Sequence, residues 1–308
     1  MNSNKQLYNI LKTKFLSSGF INFGVSKPEI LNSQKEYFKQ WLDDNKNAGM
    51  QWLERTFEKR INPFLLMPDV KSIISLACLY NTPFNYKNDK NIPKISRYAY
   101  GTADYHIVIK EKIEKVIKEI VKKIHNVKAQ IYVDDCDVME KVWAVKSGLG
   151  WVGKNTIVLN ENYGSFAFIA TVFINVELDY NESVLNQCET CTMCIDSCPT
   201  GALFDEHKLD ANLCISYHTI ENKNAIPENI NLNGWIFGCD ICQDACPYNR
   251  RNIFSGDNNF FPDERIFNKS YEELEMIDEN KFNEIFKNTP IGRGKYLRFQ
   301  RNLKKAKK

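Results

Sequence analysis

The 308-residue chain lacks any long uninterrupted hydrophobic stretch. No apolar run approaches the ~20 residues needed to cross a bilayer. The first residues, Met-Asn-Ser-Asn-Lys-Gln, also lack the apolar core of a secretory signal peptide. We therefore expect a cytoplasmic protein with no membrane partner. A reducing compartment keeps thiols free, which matters because the chain has ten cysteines.

The sequence has little net charge, and it lacks the usual nucleotide-binding fingerprints. Its formal net charge is +3, so composition alone does not indicate a nucleic-acid-binding protein. Gly148, Gly150 and Gly153 match G-x-G-x-x-G, and residues 148–154 match most of a P-loop. Both motifs are excluded, because the predicted order here is helix, loop, strand, and because Asn155 stands where a P-loop has Ser or Thr. We expect these glycines to allow close approach of a flat ligand or of a neighbouring chain segment.

Cysteine, by contrast, is concentrated in one short segment. Eight of the ten cysteines fall within residues 188–246, in two groups of four that each end in Cys-Pro. The first group follows C-x2-C-x2-C-x3-C-P, the ligand pattern of a bacterial-type [4Fe–4S] ferredoxin, and the second is a stretched copy of it. The pattern therefore predicts two [4Fe–4S] clusters.

The spacing also predicts which cysteines share a cluster. Three thiolates two residues apart can wrap one cubane, whereas the fourth, next to a proline, reaches the other cluster, as in two-cluster ferredoxins. The first set is Cys188, Cys191, Cys194 and Cys246, and the second set is Cys198, Cys214, Cys239 and Cys242. A pair of zinc sites is the minor alternative, but zinc leaves the third C-x2 step and both Cys-Pro endings unexplained. A disulfide framework is less favoured still.

Outside the cysteine segment, helical and strand patterns occur together, which is typical of an α+β protein. Apolar residues at helical spacing predict amphipathic helices over 5–19 and 107–124, and the length and lack of alternation of the stretch 72–80 predict a buried strand. Strand patterns at 156–159 and 165–176, joined by a short turn, predict a β-hairpin. A hairpin argues against a wholly parallel sheet.

Length and pattern together predict three parts. An α/β sandwich with a mixed or antiparallel sheet comes first, a bacterial-type ferredoxin-like domain follows, and a helical, basic extension closes the chain. The expected boundaries are 1–180, 181–255 and 256–308. From Arg293 onward the chain has no acidic residue, so the tail is either a basic arm for phosphates or, slightly favoured, a solvated and frayed terminus.

One acidic residue stands where catalytic groups often lie in α/β proteins. Asp134 follows a predicted strand at its carboxyl end, although an acid just before a helix can also be an N-cap. Asp104 is placed to cap the helix that follows it, and Tyr105 and His106 fall in the first turn of that helix, where a ligand can reach them. Cys136 is a weak candidate nucleophile, because it has no assured basic partner.

Two clusters by themselves suggest electron transfer, but a pure carrier needs no attached domain of ~180 residues. We therefore expect the clusters to feed a second redox centre. The chain has no flavin or nicotinamide fingerprint, and it lacks the Asp-x-His-x-x-Gly segment that usually supplies a histidine ligand to cobalamin. The residues alone indicate a cluster-fed reductase with an acid at a strand end. A non-catalytic electron carrier is the alternative.

An ordered set of motifs, spread over nearly the whole chain, resembles the epoxyqueuosine reductase family. The parts that flank the cysteines go beyond a generic ferredoxin pattern. The motifs are Glu58-Lys-Arg60-x-x-Pro63, Asp104-Tyr105-His106, Val133-Asp134, Gly-x-Gly at 148–150, Lys154-Asn155, Tyr163-Gly-Ser165, Cys214-Ile-Ser216 and Gly238-Cys239-Asp240.

The resemblance implies an oxidoreductase that reduces the epoxide of epoxyqueuosine, at the wobble position of certain tRNAs, to queuosine. That family is similar to the cobalamin-dependent reductive dehalogenases, so the resemblance also implies cobalamin bound base-off between the sandwich and the ferredoxin-like domain. The missing histidine motif is consistent with this. Electrons are expected to come from an unidentified low-potential donor through two [4Fe–4S] clusters, and the protein is expected to be a monomer.

The resemblance also assigns roles to particular side chains. Asp134 matches the proposed proton donor, because epoxide opening develops negative charge that must be protonated. The residues that match positions near the cofactor or lining the active site are Arg60, Tyr105, His106, Asp134, Ser216, Cys239 and Asp240.

The end of the chain departs from the longer family members. Those members continue past the position of Asn302 into paired helical repeats that contribute to tRNA contact, whereas this chain ends in Leu-Lys-Lys-Ala-Lys-Lys. The resemblance thus favours the basic tail as a contact for phosphates of the anticodon arm. The alternative function is a cluster-dependent reductase of a small molecule.

Overall fold

A computed structural model describes residues 3–87, 89–122, 124, 126–134, 137–251 and 253–307. Cys136, the weak candidate nucleophile, lies outside the described residues. The helices are α1 Ser3–Ser17, α2 Asn32–Asp43, α3 Trp52–Arg55, α4 Phe57–Ile61, α5 Tyr105–Val121, α6 Glu140–Lys146, α7 Met193–Asp196, α8 Ile215–Ile220, α9 Ile241–Asp244, α10 Tyr271–Glu275, α11 Glu279–Phe286 and α12 Lys295–Ala306. The strands are β1 Asn22–Ser26, β2 Ser72–Leu79, β3 Lys94–Ile95, β4 Ala129–Tyr132, β5 Trp151–Val152, β6 Val158–Leu159, β7 Ala167–Ile174, β8 Leu203–Asp205, β9 Lys208–Leu209 and β10 Trp235–Phe237.

The largest sheet runs in the order β1-β2-β7-β4, and each neighbouring pair is antiparallel. Every residue of β2 is buried, because helices cover both faces of the sheet. Successive side chains of a strand point to opposite faces. Ile74 and Leu76 pack with residues of α1 and α5, whereas Ile73 packs in the same cluster as Trp143 of α6. The predicted α+β class, with an α/β sandwich, is confirmed.

The predicted hairpin between residues 156–159 and 165–176 is wrong. β6 pairs with β5 in a two-stranded ribbon, whereas β7 lies between β2 and β4 in the large sheet. A single bridge between Asn160 and Gly164 closes the turn that connects β6 to β7. β7 is mostly apolar, and pairing with β2 on one edge and β4 on the other buries it. Both edges of β7 are then occupied, so β6 pairs with β5.

The C-terminal segment packs against the rest of the protein. β10 pairs with β3 in parallel, and the C-terminal helices pack against this pair in one hydrophobic cluster. The expectation of a frayed terminus is wrong, because α12 continues to Ala306 and Leu303 on it is 0% exposed. The domain boundaries at residues 180 and 255 stay a prediction. None of the helices built from the described residues has the length and apolar character required to cross a membrane.

Polar side chains of α12 bind the C-terminal end of α8. The last turn of a helix leaves carbonyl oxygens without partners inside the helix, and cations are favourable there. Arg298 donates to the carbonyl of Ile220 (2.6 Å), Arg301 to that of His218 (2.8 Å) and Asn302 to that of Thr219 (2.8 Å). The basic residues of the tail are therefore used partly to hold the fold.

We expect Asn302→Ala to lower the free energy of unfolding by roughly 1–3 kcal/mol for each buried carbonyl that loses its donor. Nδ2 of Asn302 donates to the carbonyl oxygens of Thr219 (2.8 Å) and Ile236 (2.9 Å). Anaerobic chemical denaturation, followed by circular dichroism, measures the change. Lys304→Ala, at an exposed position of the same helix, is the control. Equal stability of the two variants would contradict the role given to Asn302.

Candidate cluster sites and active site

Two cavities bring the eight cysteines together in the two predicted sets. The first cavity, of about 240 Å³, is lined by Cys188, Cys191, Cys194 and Cys246. The second cavity, of about 360 Å³, is lined by Cys198, Cys214, Cys239 and Cys242. The last cysteine of each group, Cys198 or Cys246, thus faces the cavity of the other group. Four sulfur donors per cavity is the number that a [4Fe–4S] cluster requires.

The chemistry of these thiols fits an iron-bound site. The nine described cysteines are free thiols. Burial raises the pKa of Cys239 to about 12 and that of Cys194 to about 11, and neighbouring thiolates add to the effect. Buried thiols of this kind are expected to lose their protons when a metal binds, because the ligand is the thiolate.

Asp134 lies at the carboxyl end of β4, as the sequence predicts. Its backbone has a positive φ of 46°, and its N–H donates to Oε2 of Glu140 (2.9 Å). The side chain is 70% exposed, and its Oδ2 accepts a hydrogen bond from the hydroxyl of Tyr105. Asp134 is not an N-cap, because the residue that precedes α6 is Met139.

Burial and the negative charge of Asp134 raise the pKa of Tyr105 far above its ordinary value. Tyr105 therefore keeps its proton at neutral pH and can only donate to the Asp134 carboxylate. Tyr105 also stacks on Phe168 of β7, with ring centroids 4.1 Å apart. The hydroxyl that orients Asp134 is thus held by the core of the sandwich.

His106 is held between an acid and a guanidinium. Its Nδ1 lies 2.5 Å from Oδ1 of Asp104, and its Nε2 lies 2.8 Å from Nη1 of Arg293. A guanidinium can only donate, so Nε2 accepts and the proton of the neutral ring is assigned to Nδ1. Asp104 also caps α5, as predicted, by accepting from the His106 N–H (3.0 Å).

The charge environment of Asp104 agrees with this arrangement. Burial acts to raise the pKa of Asp104, but its hydrogen bonds and electrostatic interaction with His106, and then the charge of Arg293, outweigh burial and leave that pKa below its ordinary value. Asp104 is thus ionised at neutral pH. No local pattern marks Arg293 as a site residue, because it lies 187 positions from His106 and its neighbours in the sequence show only a basic tail.

Asp134 stands between two further cavities. One, of about 290 Å³, is lined by Tyr105, His106, Asp134 and Arg293, and the other, of about 680 Å³, is lined by Asp134 and Arg60. Each shares walls with the second cysteine cavity. Tyr98 and Glu221 are common to the smaller one, whereas Lys141 and Thr156 are common to the larger. We call the three adjoining spaces the central cleft.

The central cleft brings together six of the seven residues expected near a cofactor. These are Arg60, Tyr105, His106, Asp134, Ser216 and Cys239. Sequence reasoning missed Tyr98, Lys141 and Glu221, whose positions no local motif marked.

Asp240 differs from the expectation that it lies at the cofactor. Its side chain is 0% exposed and does not line the central cleft. Its carboxylate accepts hydrogen bonds from the Tyr86 hydroxyl (2.6 Å), the Arg97 N–H (2.8 Å) and the Ser96 hydroxyl. A buried carboxylate needs such donors, so Asp240 turns inward and anchors the segment between Cys239 and Cys242.

Two parts of the chain match known protein families. Residues 187–249 match the family described as 4Fe-4S double cluster binding domain, and residues 60–135 match the family described as Epoxyqueuosine reductase QueG, DUF1730. The epoxyqueuosine reductase of Cellulophaga algicola is 39% identical over 305 residues, which cover 98% of this chain and 99% of that protein. The epoxyqueuosine reductase of Escherichia coli K12 is 32% identical, with 97% of this chain and 80% of that protein covered.

Solved structures give a consistent result. A crystal structure of epoxyqueuosine reductase with a tRNA-Tyr epoxyqueuosine-modified tRNA stem loop superposes with a TM-score of 0.90 at 28% identity, covering 98% of this chain and 80% of that chain. The catabolic reductive dehalogenase NpRdhA superposes with a TM-score of 0.51 at 11% identity, covering 99% of this chain and 39% of that chain. The second likeness shows a shared fold alone.

A double-cluster segment joined to an α/β sandwich, with one cysteine cavity adjoining a cavity that holds an acid, defines the chain as an iron–sulfur oxidoreductase. Relatives above 30% identity span nearly its whole length. Within that class, the chain belongs to the epoxyqueuosine reductase family.

We expect Cys214→Ala to lower the iron content from about eight to about four atoms per chain, because one of two four-iron clusters loses a ligand. Cys214 lines the second cysteine cavity. Cys78→Ala is the control, because Cys78 is buried in the core of the sandwich. Iron analysis and electron paramagnetic resonance of anaerobically purified protein measure both variants. A Cys214→Ala variant that still holds about eight irons would remove Cys214 from the ligand set.

Proposed function

We propose that the protein reduces the epoxide of epoxyqueuosine, at the wobble position of a tRNA, to queuosine. The eight cysteines would hold two [4Fe–4S] clusters and the central cleft would hold base-off cobalamin, which together would supply the electrons, and Asp134 donates a proton. The observation that carries this proposal is that the cavity lined by the second cysteine set and the cavity lined by Asp134 adjoin, with Tyr98 and Glu221 in the walls of both. The relatives at 39% and 32% identity are epoxyqueuosine reductases.

The residues of the central cleft fit cobalamin. The cleft offers a space of about 680 Å³ beside Arg60 and one of about 360 Å³ beside Ser216 and Cys239. Arg60 lies over the ring of Trp52, 5.1 Å from its centroid, and can meet a polar group of the cofactor. When bound, cobalamin supplies a strongly reducing cobalt centre.

The side chains around Asp134 suit proton delivery. Tyr105 donates to Oδ2 of Asp134 and fixes the orientation of the carboxyl group. Nε2 of His106 lies 3.9 Å from the same oxygen but accepts from Arg293 (2.8 Å), so His106 holds the Arg293 guanidinium near Asp134. Because epoxide opening places negative charge on oxygen and carbon, an acid held at this point supplies what the reaction needs.

Basic side chains at the Asp134 cavity suit a nucleic-acid substrate. Lys223, Arg293 and Arg298 line that cavity together with Asp134. Ammonium and guanidinium groups bind phosphate oxygens, and phosphate contacts dominate the affinity for nucleic acids. A related reductase was crystallised with a modified tRNA stem loop. We propose that Lys223 and Arg293 hold the phosphates beside the wobble nucleotide, whereas the guanidinium of Arg298 binds backbone carbonyl oxygens.

We expect Asp134→Asn to lower turnover of epoxyqueuosine-containing tRNA at least ~100-fold, because the amide has no acidic proton to donate. Iron content and cobalamin affinity should stay unchanged. The measurement is anaerobic turnover with chemically reduced protein, followed by nucleoside analysis. Asp137→Asn, which removes a surface ion pair with Lys59, is the matched control. A cluster-loaded, cobalamin-bound Asp134→Asn protein with normal turnover would refute the proton-donor role.

We expect Lys223→Gln to weaken binding of the anticodon stem loop and to reduce the slope of log affinity against log salt by about one, the change for one lost phosphate contact. Lys118→Gln, on the exposed face of α5, should leave both quantities unchanged. Fluorescence anisotropy at several salt concentrations measures them. An unchanged slope for Lys223→Gln would exclude a phosphate contact, and preferential turnover of the free nucleoside would favour a small-molecule reductase.

A further inference from the structure

A buried lysine faces the first cysteine cavity. Lys154 is only 4% exposed, and it lines the cavity together with the first set of cysteines. Its Nζ donates to the carbonyl oxygen of Glu189 (2.6 Å) and lies 2.7 Å from Oε1 of Glu206. The hydrogen bond with Glu206, together with the charges of Glu206 and of nearby cysteine thiolates, raises the pKa of Lys154. The ammonium therefore stays charged.

Trp151, in strand β5 just before Lys154, supplies a hydrogen bond to a cysteine of this cavity. Nε1 of Trp151 donates to Sγ of Cys188 (3.4 Å). The indole is 2% exposed and packs edge-on against the ring of Tyr248, with centroids 5.0 Å apart. An indole N–H can only donate, so Trp151 is the donor and the sulfur of Cys188 is the acceptor.

The glycines before Asn155 explain how the loop brings these groups so close. A Cβ atom at Gly150 would collide with the carbonyl oxygen of Leu159, and one at Gly153 would collide with the Leu159 side chain. The sequence left open whether these glycines admit a flat ligand or a neighbouring chain segment. The chain segment at Leu159 accounts for both glycines. The tight turn places Lys154 on the wall of the cavity and the indole of Trp151 against Sγ of Cys188.

We propose that Lys154 and Trp151 raise the reduction potential of the cluster held by Cys188, Cys191, Cys194 and Cys246. Reduction by one electron adds one negative charge to a [4Fe–4S] cluster, and hydrogen bonds to sulfur and nearby positive charge favour that form. Glu206 opposes the effect, but its side chain is 54% exposed whereas that of Lys154 is 5% exposed. Water screens the carboxylate more than the ammonium, so the positive charge dominates at the cluster.

The test uses substitutions with opposite expected signs. Lys154→Gln and Trp151→Phe should each lower the midpoint potential of one cluster, and Glu206→Gln should raise it. The expected size is at least a threefold change in the reduced-to-oxidised ratio at fixed potential, or about 28 mV at 59 mV per tenfold for one electron. Lys154→Arg, which keeps the charge, should stay closer to the unsubstituted protein than Lys154→Gln does. Redox titration of anaerobically purified protein, read by electron paramagnetic resonance, gives the potentials.

Controls separate a tuning effect from structural damage. Lys128→Gln removes a surface ion pair with Asp69 and should shift neither cluster. If Lys154→Gln loses iron, Trp151→Phe and Glu206→Gln still decide the outcome, because the first keeps an aromatic side chain without the N–H donor and the second changes a half-exposed carboxylate. Shifts of the same sign in these two variants, or no shift in either with about eight irons retained, would overturn the proposal. The measurement needs neither tRNA nor cobalamin, so it is independent of the proposed reaction.

Discussion

The position of the second cysteine cavity relative to the sandwich depends on the buried carboxylate of Asp240. Removing a charge from water costs several kcal/mol unless hydrogen bonds and an opposite charge compensate for it. The compensating groups come from outside the cysteine segment, and the charged one is Arg97, whose guanidinium lies 4.7 Å from the ring centroids of both Tyr86 and Phe166. If the segment from Cys239 to Cys242 left the sandwich, the ion pair between Arg97 and Asp240 would break, and both charges would lose their partner.

The C-terminal helix applies a second constraint at the other wall of the cleft. α8 begins directly after Cys214, which is its N-cap residue, and it carries Ser216. Its opposite end is bound by Arg298 and Arg301 of α12. A segment that is remote in sequence thus holds a cysteine of the second set and one wall of the cleft. This explains why a stretch that reads as a charged tail is part of the folded protein.

Features that depend on neighbouring residues in the chain could be predicted from the sequence, whereas contacts between residues far apart in the chain could not. The two cysteine sets follow a local spacing rule, so their grouping into two cavities could be anticipated, and the position of Asp134 followed from a strand pattern. The partner of β7 could not be anticipated, because periodicity indicates a buried strand without naming its neighbours. The contact between Arg293 and His106 joins residues 187 positions apart, which no local pattern encodes.

The left-handed backbone at Asp134 limits what can replace that residue. A positive φ is strained for most side chains, and aspartate and asparagine adopt it more readily than longer residues do. Glutamate keeps the acidic group, but it moves that group by one methylene and suits this backbone less well. Asparagine suits the backbone but has no proton to give. Under the proposed proton-donor role, acidity and conformation are thus separate requirements at this one position, and aspartate meets both.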